Sequence, residues 1–203
     1  MKAIRTKGIV QKANVTCYAI TPSDDFVLSG FSASKYVTLP DSFSPENNTW
    51  EMVFKITTAG VSGQQQFLGG IDSQYAGVEA AVEGGKFEVW IGSSTSSSYN
   101  IANGKTGTYT VLANTTYWVK IAFDGSVYTL AYSLNGKDYT IDITVSSTVA
   151  IASAKKALGL DKNSADYIWT GSIDLKECYI NINGERWWSG VKDVQVDRYL
   201  MAK

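Results

Sequence analysis

Apolar and polar residues alternate along several short segments of this chain, which is the pattern of β-strands with one buried face. In residues 50–58, large apolar side chains occupy nearly every second position, and charged or hydroxyl side chains lie between most of them. Residues 86–91 alternate in a similar way. Further strands are predicted at 36–39, 66–71, 78–82, 109–112, 117–124, 127–134, 138–145, 157–160 and 173–182.

The apolar runs are short and are mostly bounded by Gly, Asn, Asp or Ser, the residues that form tight turns. The pairs Asp124-Gly125 and Asn135-Gly136 predict two hairpin turns, because glycine adopts the positive φ that such turns need. They join three strands into a meander. Helical periodicity is nearly absent, and only residues 149–156 could hold a helical turn. Many short strands with tight turns predict an all-β fold, a two-sheet antiparallel jelly-roll sandwich.

Size and charge narrow the class of protein. At 203 residues, with 44% hydrophobic and 12% aromatic residues, the chain is long enough for one domain with a sizeable core. The formal charge is -1 and no long run of like charge occurs, so neither a nucleic acid nor an anionic membrane surface is an expected partner. No apolar stretch approaches the roughly 18 residues that span a bilayer, so membrane insertion is not expected.

The ends of the chain carry a weaker pattern than its centre. We expect an N-terminal arm or attachment segment at 1–25, the jelly-roll domain at 26–190 and a C-terminal tail at 191–203. The sequence leaves open whether the arm adds a strand to the sandwich or docks on a neighbour. The first residues lack the apolar segment and cleavage site of a secretory signal, so a chain that starts naturally at Met1 is expected to be made in the cytoplasm.

Four segments of the chain resemble the concanavalin A-like lectin/glucanase superfamily, in its laminin-G-like branch as found in bacteriophage tail and adhesion proteins. The residues that carry the resemblance are 28–36 with Leu39-Pro40, 49–56, 117–125 followed by 132–139, and Gly159 with 169–175 and 182–188, and the resemblance covers about residues 26–190. The resemblance implies a curved two-sheet jelly roll that holds glycans at a loop-lined rim or on the concave sheet, or that serves only as a structural module of a virion.

Glycoside hydrolysis is not expected, although the same superfamily contains glucanases. The Glu-x-Asp-x-x-Glu arrangement of those enzymes is missing from this sequence. Two carboxylate pairs remain: Asp138 and Asp142 are predicted to share a strand face, and Glu83 and Glu88 flank a Gly84-Gly85 turn. Both pairs are interpreted as solvated surface charges. The chain contains no histidine, which excludes Ser-His-Asp, Cys-His and histidine-metal mechanisms. We therefore expect a protein that is not an enzyme.

Calcium is the one cofactor that the sequence leaves open, since several laminin-G-like domains bind it at the rim. Asp161, Asn163 and Asp166 offer oxygen ligands at short spacing, but they lack the full ligand run of a strong calcium motif, and an Asx-rich turn is the preferred interpretation. Cys17 and Cys178 lie far apart. We interpret them as buried free thiols, with one bridge between the chain ends as the alternative.

The six tryptophans divide by their position in the alternation. Trp50 is in phase with apolar residues and is expected in the core. Trp118 is in phase with Lys120, which predicts the wetter face or the cleft between the sheets. Core packing or edge cover is expected for Trp169, Trp187 and Trp188. Trp90 differs, because it shares a face with Lys86 and Glu88 and precedes a Ser-rich loop at 92–100.

These features predict a glycan site, since sugars pack their C–H faces on exposed aromatic rings and pair their hydroxyls with polar groups. The expected site consists of Trp90, Tyr99, Tyr75, Asn100, Asn103 and Glu88. In the alternative interpretation, Trp90 covers a sheet face or contacts a neighbouring subunit.

The leading hypothesis is a non-enzymatic phage or prophage virion protein, a tail fibre or similar appendage, that binds a cell-surface glycan. The expected location is the virion, and the expected partners are that glycan and other virion proteins. A homo-oligomer stays open. The alternative is a structural decoration or assembly module without a glycan ligand, and a glycoside hydrolase is the third hypothesis.

Overall fold

The computed structural model describes residues 26–39, 48–71, 75–93, 98–161 and 167–190. These residues contain thirteen β-strands and no helix. The strands are β1 (Val27–Ser29), β2 (Val37–Thr38), β3 (Trp50–Thr57), β4 (Gln64–Gly70), β5 (Ala76–Glu83), β6 (Lys86–Ser93), β7 (Ala102–Thr106), β8 (Thr116–Phe123), β9 (Val127–Ser133), β10 (Thr140–Ser146), β11 (Lys156–Leu158), β12 (Ser172–Ile182) and β13 (Glu185–Ser189).

The strands form two antiparallel sheets, which confirms the all-β jelly-roll sandwich. One sheet has seven strands in the order β1-β12-β3-β8-β9-β10, with β13 also paired to β12. The other has six strands in the order β2-β11-β4-β5-β6-β7. The predicted meander is β8-β9-β10, and Gly125 and Gly136 adopt positive φ at its two turns.

The core lies between the sheets and is filled by alternate positions of each strand. In β3, the side chains of Trp50, Met52, Phe54 and Ile56 are buried, as the period of two predicts. Phe54 contacts Phe67 of β4 at a ring distance of 6.2 Å, and this contact joins one sheet to the other. The apolar faces of the two sheets therefore pack directly on each other.

The tryptophan assignments are confirmed for the core. Trp50, Trp169 and Trp188 are buried, and Trp187 is half-buried in β13. Trp118 lies on the outer face of the seven-stranded sheet, half-buried under a lysine. Its position on the wetter face is thus confirmed.

One predicted strand was wrong. Residues 109–112 are not a strand, because their backbone bonds to groups outside a ladder: Tyr109 N donates to Asp142 Oδ1 at 2.8 Å, and Leu112 N donates to the Tyr117 hydroxyl at 2.9 Å. Residues 149–156, the segment that could hold a helical turn, contain none. Ala152 N bonds instead to Gly92 O at 3.1 Å, across to β6.

The pair Asp138 and Asp142 does not share a strand face, which corrects the sequence interpretation. Asp138 lies in the turn before β10 and accepts a hydrogen bond from Asn135 Nδ2. Asp142 lies at a bulge in β10, and its Oδ1 accepts hydrogen bonds from Thr108 N and Tyr109 N, both at 2.8 Å. A bulge with an inward-turned charge blunts a sheet edge against pairing with other chains.

The predicted arm at 1–25 and tail at 191–203 lie outside the described residues, as does Cys17. Cys178 is a buried free thiol, which agrees with the preferred interpretation, and burial raises its pKa to about 12. No helix long and apolar enough to cross a membrane occurs in the described part of the chain.

Replacement of Trp169 by alanine should destabilise the fold strongly. The side chain is fully buried and packs edge-on against Phe67 at 5.7 Å, so its removal leaves a cavity between the sheets. We expect a loss of about 3–5 kcal/mol in the free energy of unfolding, measured by urea denaturation. The matched control is Trp90→Ala, which should cost less, about 1–2 kcal/mol, because that ring is partly in solvent and its removal leaves no closed cavity. Equal losses in the two variants would contradict the assignment of Trp90 to the outer face.

Candidate functional site

Most of the residues predicted to bind a ligand lie on or beside β5, β6 and β7 of the six-stranded sheet. Trp90 is half-buried on the outer face of β6, because its chain neighbours Val89 and Ile91 fill the core. The alternation therefore assigned its direction correctly. We call the following group the rim: Tyr75, Glu88, Trp90, Tyr99, Asn100 and Asn103.

Tyr75 and Tyr99 form an aromatic pair at the rim. Their ring centroids are 5.3 Å apart and the rings meet edge to face. Tyr75 has a φ of 66°, which is unusual for a bulky residue and requires support from its surroundings. That support includes Gly92, since a Cβ atom at this position would overlap the Tyr75 carbonyl oxygen.

A buried ion pair underlies the aromatic pair. Lys156 Nζ lies 2.9 Å from Glu79 Oε1, and the two side chains are only 3% and 2% exposed. The second carboxylate oxygen, Oε2, accepts a hydrogen bond from Gln66 Nε2 at 3.2 Å. Tyr99 also hydrogen-bonds to Glu79, and burial together with this carboxylate raises the pKa of Tyr99 well above its ordinary range. Tyr99 is therefore a neutral, fixed ring.

Glu79 also connects the ion pair to Trp90. The two residues are direct partners in the register of β5 and β6, so their side chains lie on the same face of the sheet. The structure thus brings Trp90, Tyr75 and Tyr99 around one buried carboxylate. No local sequence pattern could have shown this arrangement, because Lys156 is far away in the chain.

Glu88 is not the solvated charge that the sequence suggested. Its side chain is 8% exposed, and Oε1 accepts a hydrogen bond from Thr106 Oγ1 at 3.5 Å. Burial, together with a hydrogen bond to Glu83 and its charge, raises the pKa of Glu88 from 4.5 to about 7. The interpretation of Glu83 and Glu88 as two separate surface charges was wrong, since β5 and β6 bring the carboxyl groups together.

The two asparagines of the rim differ in what they can offer. Asn100 closes the loop after β6: its Oδ1 accepts from Ser93 N at 2.9 Å, and its Nδ2 donates to Ser93 Oγ at 2.8 Å. Its amide is therefore largely used within the protein. Asn103 is exposed on β7.

The calcium hypothesis stays a prediction. Asp161 is buried near Tyr99, whereas Asn163 and Asp166 lie outside the described residues. No group of three His, Cys, Asp or Glu side chains that could hold a metal ion occurs in the part of the chain that the structure describes.

The structure also shows a groove that sequence reasoning missed. It lies on the outer face of the seven-stranded sheet and has a volume of about 420 Å³. Its lining residues are Thr49, Trp50, Glu51, Ala122, Phe123, Asp124, Val127, Thr129, Asn181 and Gly184. Glu51, Ala122 and Asn181 form one row across β8, β3 and β12. The sequence could have indicated this row, because its members alternate with the core residues of the predicted strands.

Comparison with known proteins supports the architecture. No family model and no curated protein matches the sequence. Among solved structures, domains LG4-5 of the mouse laminin alpha1 chain match with 14% identity and a TM-score of 0.53, over 84% of this chain and 46% of that chain. The LG1-3 region of the laminin alpha2 chain matches with 13% identity and a TM-score of 0.51, over 77% of this chain and 31% of that chain.

A third solved structure matches over nearly its whole length. The CBM40 of Ruminococcus gnavus IT-sialidase, bound to alpha2,3 sialyllactose, has 12% identity and a TM-score of 0.51, over 81% of this chain and 94% of that chain. The chain has a laminin-G-like, concanavalin A-like fold. It spans less than half the length of the two laminin structures, and the likeness at these identities is one of fold alone.

Within this laminin-G-like fold, removal of the cation beneath the rim should be costly. We expect Lys156→Met to lower the free energy of unfolding by about 3–5 kcal/mol, because Glu79 is then buried without a partner charge. The matched control is Lys55→Met, which breaks a pair of the same 2.9 Å length whose side chains are 24% and 18% exposed. It should cost about 1 kcal/mol or less. Urea denaturation measures both, and equal losses would contradict the buried assignment.

Glu88 should make the stability of the domain depend on pH. Its pKa rises on folding from 4.5 to about 7, so its contribution to stability is fully present below pH 4.5 and is lost as the pH rises through 7. We expect the stability difference between the wild type and Glu88→Gln to shift against the wild type across this interval. Denaturation at a series of pH values measures it, and parallel curves for the two proteins would show that Glu88 is solvated.

Proposed function

We propose that this laminin-G-like domain binds carbohydrate without chemically modifying it, and that the rim is its binding site. The observation that carries the proposal is the partly exposed ring of Trp90 on the same sheet face as the fixed Tyr75 and Tyr99 rings. Aromatic platforms with nearby polar groups suit sugars, which present C–H faces and hydroxyls together.

Preorganisation supports this proposal. Tyr99 is held by Glu79, and Tyr75 is held in a left-handed backbone conformation. Rings that are already fixed lose little conformational entropy on binding, so more of the contact energy appears as affinity. One solved structure with the same fold is described as bound to alpha2,3 sialyllactose, which shows that the fold can hold a sugar.

The geometry also supports binding without catalysis. A retaining glycosidase needs two carboxyl groups about 5 Å apart, with the sugar between them. Glu83 and Glu88 lie close enough to interact directly, which is closer than the spacing that a retaining glycosidase needs between its two carboxyl groups. The chain has no histidine that could act as a general base.

The biological setting is part of the proposal and rests on the sequence resemblance alone. We propose that the domain belongs to a phage or prophage virion, as part of a tail fibre or similar appendage, and that its ligand is a host cell-surface glycan. Its other partners in that setting are virion proteins.

An assembly module is the second candidate function, and one observation favours it. Three large apolar side chains are exposed on or near the edge strand β10, namely Leu134, Ile141 and Val149. Exposed apolar groups close to one edge suit contact with another protein.

Removal of the Trp90 ring should separate the two candidates. We expect Trp90→Ala to weaken glycan binding at least about tenfold, since hot-spot aromatics typically contribute 2 kcal/mol or more. Trp90→Phe, which keeps a flat ring, should retain part of the affinity. The control is Tyr139→Ala on the other sheet, which should bind as the wild type does. Glycan arrays followed by calorimetry provide the measurement.

A wild-type protein that binds no glycan and forms an oligomer through β10 would favour the assembly module. If the wild type binds no glycan and Ile141→Ser changes the oligomeric state measured by light scattering, the carbohydrate proposal is wrong.

A further inference from the structure

The strand register leaves a glycine facing Trp90 across β6 and β7. The pairing of Val89 with Lys105 and of Ile91 with Ala102 contains a bulge, and Gly104 lies in it with a φ of 67°. A residue with a side chain is disfavoured here by the backbone alone. Gly104 therefore leaves the space beside the indole ring open.

Two polar atoms meet above this glycine. Glu88 Oε1 lies 2.7 Å, and Trp90 Nε1 lies 3.3 Å, from the point where a Cβ atom of residue 104 would stand. The acceptor and the donor are therefore at most about 6 Å apart, roughly the length of two hydrogen bonds that share one central oxygen atom. The indole N–H can only donate, and a carboxylate can only accept.

We propose that Trp90 Nε1 and Glu88 Oε1 together bind one hydroxyl group of a neutral sugar, and that this subsite rejects sugars carrying a carboxylate or sulfate at that position. The inference rests on the proposed carbohydrate-binding function and specifies its ligand class. Gly104 is the residue that keeps the subsite accessible.

A hydroxyl fits because it accepts and donates hydrogen bonds at once. Its oxygen accepts from Trp90 Nε1 while its proton is donated to Glu88 Oε1. Above about pH 7, where Glu88 is ionised, a carboxylate or sulfate of the ligand offers only acceptors, so it satisfies the indole but repels the Glu88 carboxylate. The complementary pair thus selects by chemistry as well as by shape.

The charges around the subsite agree with this selection. Glu83 adds a second carboxyl group next to Glu88. The nearest cations are engaged or directed away: Lys86 Nζ bonds to Thr108 O at 2.6 Å, and Lys156 is paired with Glu79. Lys105 pairs in register with Val89, on the sheet face opposite to Trp90. An anionic sugar would therefore meet two carboxyl groups, Glu83 and Glu88, and one cation, Lys86, on this face.

The test compares binding of neutral and acidic saccharides at about pH 8.5, where Glu88 is ionised, in matched pairs such as lactose with alpha2,3-sialyllactose and methyl-esterified with free polygalacturonate. The decisive variant is Gly104→Ala, whose methyl group fills the subsite. The matched control is Gly63→Ala, because Gly63 has nearly the same φ of 66° and a Cβ atom there would have nothing within 4 Å. Both variants place an alanine at nearly the same positive φ, so they differ in whether the added methyl group fills the subsite. Thermal melting checks that both fold.

We expect the wild type to bind the neutral member of a pair more tightly, and Gly104→Ala to lose about tenfold or more in affinity while Gly63→Ala does not. Glu88→Gln should reduce the discrimination against the acidic members. If Gly104→Ala does not fold, Trp90→Phe removes the Nε1 donor with Gly104 intact and should show the same preferential loss for neutral sugars.

The outcomes separate this inference from the proposed function. If saccharides bind and depend on Trp90, but the acidic members bind better or the two glycine variants behave alike, the hydroxyl subsite is wrong while carbohydrate binding stands. If no saccharide binds the wild type, both the subsite and the carbohydrate proposal are wrong.

Discussion

The contact of Phe67 with Phe54 and Trp169 holds the two sheets face to face, at ring distances of 6.2 and 5.7 Å, and the rest of the molecule follows from this packing. Each strand has two faces, and the side chains that fill the layer between the sheets are lost to any binding role. The alternate side chains are forced onto the outer faces. Binding chemistry in this fold therefore lies at the positions between the core residues, and Trp90, which lies between two buried neighbours in β6, is such a position.

The same alternation places the Glu79 carboxylate on the outer face of the six-stranded sheet, where it is nevertheless buried. Glu79 alternates with core residues of β5, and its carboxylate is matched there by Lys156 of β11. A buried ion pair contributes little net stability, because desolvation of two charges cancels much of their attraction. Its effect here is on position: Tyr99 hydrogen-bonds to Glu79, and Trp90 is the strand partner of Glu79. The pair orders the rim more than it stabilises the fold.

Alternation and turn residues were sufficient to predict the all-β class, the meander and the outward direction of Trp90, because these depend on neighbours in the chain. They were insufficient for β7, because its polar and glycine-containing sequence resembles a loop. They also failed at 109–112, whose sequence resembles a strand although its backbone bonds to side chains outside any ladder. Glu88 shows the same limit at the site. A charged residue is expected in solvent, and only the long-range register of β5, β6 and β7 covers it and brings Glu83 against it. Local patterns do not encode such register.

What covers an aromatic ring decides whether it can receive a sugar, and the two sheets differ in this respect. On the seven-stranded sheet, cations of the chain itself lie over the aromatic faces: Lys55 over Trp118, Lys120 over Tyr139 and Arg186 over Tyr179, at 4.9, 4.6 and 3.7 Å. A sugar would have to displace each cation and lose an interaction of about 0.5–1 kcal/mol. Among the described residues, no cation lies over Trp90. A ligand at this ring would not incur that loss, which is an energetic argument for the proposed binding site on the six-stranded sheet.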